Sequence, residues 1–87
     1  MRTVVVNKYK EPYDILIQRG TIWGNPFKDG TREENIENYR IYILSNPYLM
    51  SRICELKGKR LGCSCKPKKC HGDVLVELVQ QFCLERF

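Results

Sequence analysis

The order of the apolar runs limits this chain more than any other feature. Two short runs come first: the β-branched Thr3 to Val6, then Ile15-Leu16-Ile17 within Tyr13 to Gln18. A third, Arg60 to Cys63, arrives only after a long stretch of helical character. Runs this short, bounded by polar turn residues, read as strands. The first two can close as a hairpin across Lys8 to Pro12, or either can pair with the later strand. The order β-β-loop-α-α-β-α, with helices separating early strands from a late one, predicts a small α/β domain with a short, partly parallel sheet and about three helices. With 87 residues the chain is expected to form a single domain over residues 1–87, with a modest core.

The helices are marked by their ends. Thr31-Arg32-Glu33-Glu34 is a capping box, predicting a helix from Arg32 to Leu44 with Ile36, Tyr39 and Tyr42/Ile43 on its buried stripe. Ser45-Asn46-Pro47 ends it, and Pro47 suits the first turn of a second helix reaching Leu56, with Leu49, Met50, Ile53 and Leu56 inward. Gly58 closes that helix. The last helix is expected from Cys70 or His71 to Leu84, since Val74, Leu75, Leu78, Val79 and Phe82 recur at helical spacing. Between the early strands and the first helix, Arg19 to Gly30 holds too many glycines and prolines for a regular element. Its Trp23 and Phe27 imply that the loop packs down on the rest of the fold.

Composition excludes several classes. Hydrophobic residues make up 43% and charged residues 29%, an ordinary soluble balance. No apolar stretch is long enough to span a bilayer, and Met1 to Asn7 is too short for a signal peptide, so a cytoplasmic location and no membrane partner are expected. The net charge is +5, and its excess is local: Lys57, Lys59, Arg60, Lys66, Lys68 and Lys69 fall in a segment without a carboxylate. This is a surface for phosphate, nucleic acid or an acidic partner, or a solvated basic face. Five cysteines in a reducing compartment argue against a disulfide framework, so Cys54 and Cys83, in helical patterns, are read as small core residues.

The remaining cysteines, Cys63, Cys65 and Cys70, cluster beside His71, the sole histidine, where a strand gives way to a helix. Three chemistries fit. Thiolates and imidazole are zinc ligands, and Cys63, Cys65, Cys70 and His71 make four, although adjacent Cys70 and His71 project about 100° apart on a helix. A cysteine at a helix N-terminus has its thiolate stabilised, so Cys70 can serve as a nucleophile, with His71 or Asp73 moving protons and lysines adding positive potential. The helix N–H groups can also hold a phosphate. Alternatively, the thiols pack as small hydrophobes and His71 caps the helix.

The loop supplies a second candidate group. Trp23 can stack on a base or sugar, Arg19 can pair with a phosphate, and Asn25 can meet a base edge. The ligand-contacting set on this reading is Arg19, Trp23, Asn25, Lys66 and Lys69. Phe27 is read as a plug over the core.

Arg19-Gly20 with Trp23-Gly24-Asn25-Pro26-Phe27, then Gly58 to Cys65, Pro67 and Cys70-His71-Gly72-Asp73-Val74-Leu75, resembles an uncharacterised domain-of-unknown-function family of phage and bacterial proteins, from about Tyr13 to Leu78. The resemblance implies that Arg19, Trp23, Asn25, Pro26, Cys63, Cys65, Cys70, His71 and Asp73 are motif positions. The final motif is also similar to a second uncharacterised family, in which a strand-end cysteine precedes Cys-His-Arg. This chain has Gly72 in place of that arginine and Cys65 in place of an acidic residue.

The leading expectation is a domain that binds a nucleotide or nucleic-acid phosphate at the Cys63/Cys70/His71 corner, with Arg19 to Phe27 covering it and Cys70, His71 and Asp73 as catalytic candidates. The alternative is a zinc-stabilised interaction protein, such as a phage factor that binds a host protein. A sequence-tolerant nucleic-acid binder using the basic run is the third.

Overall fold

The computed structural model describes residues 2–83. Strands β1 (Val4–Asn7) and β2 (Ile15–Leu16) precede helices α1 (Arg32–Leu44) and α2 (Pro47–Arg52), a 3-10 turn (Ile53–Leu56), strand β3 (Arg60–Cys63) and helix α3 (His71–Phe82). The three strands form a parallel sheet in the order β1-β3-β2. Val4 lies level with Arg60, Asn7 with Cys63, and Ile15 with Leu61. The first two runs therefore do not close as a hairpin, because the late strand inserts between them.

Consecutive parallel strands normally need a helical crossover. Here residues 8–14 suffice. Returning along a four-residue strand and across two strand spacings covers about 16 Å. Seven extended residues reach about 24 Å. Gly62 makes room for the crossing, since a β-carbon there would lie 2.7 Å from Cγ of Tyr13. Asp14 then clamps the start of β3, accepting from the Arg60 N–H at 2.8 Å and pairing with its guanidinium at 3.2 Å. That pairing holds the Asp14 carboxyl well below its usual range, at about 2.

α1 forms over the predicted residues because both halves of its cap are made: Thr31 Oγ1 accepts from the Glu34 N–H, and the Glu34 carboxylate accepts from Thr31 N–H. Tyr39 and Ile43 are its buried residues, while Ile36 and Tyr42 are partly buried. The second helix is shorter than its sequence suggests. After Arg52 it tightens into the 3-10 turn, where residues three apart eclipse. That puts Ile53 and Leu56 together in the core.

α3 is the central packing element. Val74, Leu75, Leu78 and Val79 meet Tyr39 and Ile43 of α1, Ile53 and Leu56, Leu61 of β3, and Ile17 just after β2 in one cluster. Phe82 departs from its expected place: it is 52% exposed, although Val79 before it and Cys83 after it are buried. The expected end at Leu84 lies outside the described residues.

Cys83 lies in the core as expected, but Cys54 is exposed, and the two form a disulfide. Cys83 leaves α3 in an extended conformation and meets Cys54 on the 3-10 turn, with the two Cα atoms 5.7 Å apart. Helical periodicity reports which face each cysteine takes, not that two distant elements bring them together. No helix among the described residues is long and apolar enough to cross a membrane.

Candidate functional site: a cationic cleft over a thiol corner

Ligands of parallel sheets bind beyond the carboxyl ends of the strands. At that end β3 delivers Cys63, the chain loops through residues 64–69 with a cis Lys66–Pro67 bond, and α3 starts at His71. Side chains from elsewhere pin this loop. Asn7 Nδ2 donates to the Lys66 carbonyl at 2.8 Å, and Arg32 Nη1, from the first turn of α1, donates to the Lys69 carbonyl at 2.8 Å.

The Arg19–Phe27 loop closes on the same corner. Arg19 organises it from within: Nε donates to the Asn25 carbonyl and Nη2 to the Phe27 carbonyl, both at 3.1 Å. Asn25 is buried; its amide nitrogen donates to the Asn35 carbonyl at 3.2 Å and its oxygen accepts from Phe27 N–H at 2.9 Å. The result is a cleft of about 530 Å³ whose walls come from the 18–30 segment, the start of α1, and the 63–71 corner. Arg19, Arg32 and Lys69 line it, and no carboxylate does among the described residues. Arg19 and Asn25 therefore share a cleft with Cys63, Cys65, Cys70 and His71, whereas the site expectation calls for Arg19 and Trp23 there.

Trp23 does not line this cleft. It is 3% exposed within the core, and its carbonyl accepts from Tyr39 Oη at 2.6 Å. Lys66 also turns elsewhere, pairing with Asp73 at 3.2 Å. Asp73 completes the α3 cap by accepting from Cys70 N–H at 3.2 Å. The Gly72 N–H is directed at Cys70 Sγ, 3.3 Å away. With the Asp73 N–H donating to the Cys70 carbonyl at 3.0 Å, three N–H groups at the start of α3 are used within the chain.

The thiols differ in access. Cys63 and Cys70 are buried with their sulfurs 3.3 Å apart, whereas Cys65 is half-buried. Burial, with Cys63 beside it, pushes the Cys70 thiol up to about 12, outweighing the Gly72 N–H that favours the thiolate. Near neutral pH Cys70 is a neutral thiol, which differs from the activated thiolate expected of a cysteine at a helix N-terminus. β3 ends at Cys63, so Cys65 does not continue its strand face. Among the described residues, no group of three or more His, Cys, Asp or Glu side chains is placed to hold a metal ion.

His71 sits at the first position of α3, 8% exposed, with Nε2 2.5 Å from the Ile17 carbonyl and its ring edge-on to Tyr39. Burial, reinforced by the positive charge of Arg19, lowers its pKa against the opposing hydrogen bond to Ile17. Gly72 lets this helix start approach the sheet: a β-carbon there would lie 2.7 Å from Ile17 Cδ1.

The model of a domain of unknown function, DUF4326, matches residues 4–81. The chain belongs to the DUF4326 family. An uncharacterized 12.4 kDa protein in the nrdA-td intergenic region of Enterobacteria phage T4 is 44% identical to it over 89 residues, covering 95% of this chain and 82% of the phage protein. This agrees with the resemblance to an uncharacterised family with phage members. No solved structure matches the DUF4326 chain.

In this DUF4326 domain the residues that sequence reasoning missed are Gln18, Arg32, Asn35 and Ser64, all lining the cleft. Arg32 carried a signal. A cation in the first turn of a helix opposes the helix dipole, which favours acids there. An arginine at that position is placed for something other than helix stability.

Proposed function

We propose that this DUF4326 domain binds the phosphate group of a nucleotide in the cleft between the Arg19–Phe27 loop, the start of α1 and the cysteine corner. One observation carries the reading: three cations, Arg19, Arg32 and Lys69, line a concave site free of carboxylates among the described residues. No acid among the described residues pairs with Arg19, Arg32 or Lys69. Arginine donors suit phosphate oxygens in pairs, and lysine adds a point charge. A volume of about 530 Å³ suits a ligand of nucleotide size. Lys66 and Trp23 stand outside this reading, one paired with Asp73 and the other in the core.

The geometry supports binding better than covalent chemistry at Cys70, whose thiol is buried and neutral, and Asp73 is engaged in the helix cap. Calorimetric titration with AMP, GMP, CMP and UMP tests the reading. At least one is expected to bind, and Arg32→Ala with Lys69→Ala to weaken it at least tenfold. Equal affinity in the double variant overturns the proposal.

The 3.3 Å approach of the Cys63 and Cys70 sulfurs favours a second reading, a zinc ion that takes these two as thiolates and draws in further ligands only if side chains of the corner move. It predicts one zinc per chain in native mass spectra and a sharp fall in Tm under a strong chelator. Metal-free, chelator-indifferent protein dismisses it.

A further inference from the structure

Nδ1 of His71, a residue that lines the cleft, has no hydrogen-bond partner among the described residues. The carbonyl of Ile17 can only accept, so the His71 nitrogen that faces it, Nε2, carries the proton. Nδ1 then holds a lone pair. No donor among the described residues meets it, and the ring's other contact is the edge-on packing against Tyr39. The residue is 8% exposed and lines the cleft. A second proton on Nδ1 would put an unpaired charge in this buried position, so the geometry leaves Nδ1 as an acceptor.

The charged groups around it are of the opposite kind. Arg19, Arg32 and Lys69 only donate, and they suit a phosphate. Gln18 and Ser64 both donate and accept, so neither selects between ligand groups. A phosphomonoester dianion carries no proton, so its phosphate group satisfies the cations but offers Nδ1 nothing. A ligand with a hydroxyl near its phosphate satisfies both. We infer that His71 Nδ1 accepts a hydrogen bond from a sugar hydroxyl of a ligand whose phosphate is held by Arg32 and Lys69. The ligand class is therefore a sugar phosphate, such as the ribose phosphate of a nucleotide. This rests on the phosphate reading of the cleft and adds a specificity residue to it. A site that hydrogen-bonds a hydroxyl rejects the analogue lacking it far more strongly than an apolar pocket can.

The test compares ribose 5-phosphate with methyl phosphate by calorimetry on the full chain, on His71→Gln and on Arg32→Ala. Glutamine can keep an N–H donor toward the Ile17 carbonyl while removing the second ring nitrogen. The unmodified protein is expected to prefer ribose 5-phosphate at least tenfold. His71→Gln is expected to lose that preference through weaker binding of ribose 5-phosphate, and Arg32→Ala to weaken both ligands. Equal binding of the two probes by the unmodified protein, or a preference that survives in His71→Gln, overturns the role of His71 and leaves the phosphate site standing. Binding of neither probe overturns both. Should His71→Gln not fold, imidazole ¹⁵N resonances of the unmodified protein decide instead. Ribose 5-phosphate, and not methyl phosphate, is expected to move the signal of an unprotonated Nδ1. A protonated Nδ1 before ligand is added, or an unmoved signal at saturation, overturns the inference.

Discussion

A β-carbon on Gly24 would lie 2.7 Å from the Gln18 carbonyl oxygen and 2.8 Å from the Arg19 Cα, both backbone atoms that cannot swing aside. Gly24→Ala is therefore expected to cost roughly 1–3 kcal/mol in urea unfolding, as overpacking does. The same change is expected to displace Asn25, the next residue, from the cleft wall. Unchanged stability would mean that the loop does not fold back this closely. Thiol access gives a second prediction. Iodoacetamide at pH 8 is expected to label the half-buried Cys65 first, and Cys63 and Cys70 only on unfolding. Fastest labelling of Cys70 would instead revive an activated thiolate. His71 supplies a pH dependence. Its pKa is lowered by folding, so the unfolded chain takes up the proton first and stability falls as pH drops below the ordinary value of 6.5. Asp14, Glu34 and Glu55 are also lowered, but from ordinary values of 3.8, 4.5 and 4.5, so the interval from pH 7 to 5.5 isolates His71. Denaturant stability is expected to decline over that interval and to be flatter in His71→Gln; a flat profile in the unmodified protein contradicts the buried neutral imidazole. At this scale the residue types of the site were legible in the sequence, but their partners were not. Arg19 reads as a phosphate ligand, yet two of its donors hold loop carbonyls, a use that spacing alone does not reveal.

Elements were read best where local chemistry decides them. The capping box of α1, the run of β3 and the apolar stripe of α3 each lie within one turn or one strand of sequence, and their boundaries follow from it. Pairings between elements depend on distances the sequence does not carry. Whether Val4–Asn7 joins Ile15–Leu16 or Arg60–Cys63 turned on Gly62 leaving the sheet face open to Tyr13. The Cys54–Cys83 disulfide is another such pairing, joining residues 29 apart in sequence. A cross-link closing a loop of that size stabilises by about 3–4 kcal/mol in the chain-entropy account. Cys54→Ser with Cys83→Ser is expected to lower Tm by roughly 10 °C or more, given about 4–8 °C per kcal/mol in a small domain. An unshifted Tm would show that the packing of α3 on the 3-10 turn holds without the bond.

At the scale of the molecule, the cleft exists because three segments far apart in sequence end at one edge of a parallel sheet. The topology places Cys63 and the start of α3 there, and Arg32 reaches across to the Lys69 carbonyl to close the third side. The α/β class and the corner were readable from element order. The depth of the cleft and its charge were not, because Arg32 comes from a helix that looks purely structural and Lys66 turns from the site to Asp73. The basic run likewise divides: Lys69 lines the cleft, while Arg60 is paired with Asp14. The most direct measurement is an amide ¹H–¹⁵N titration with inorganic phosphate at low salt, read residue by residue. The account predicts saturable shifts centred on residues 18–19, 25–36 and 63–71, abolished by Arg32→Ala with Lys69→Ala. Shifts centred instead on residues 57–60, or none at saturating phosphate, would contradict it.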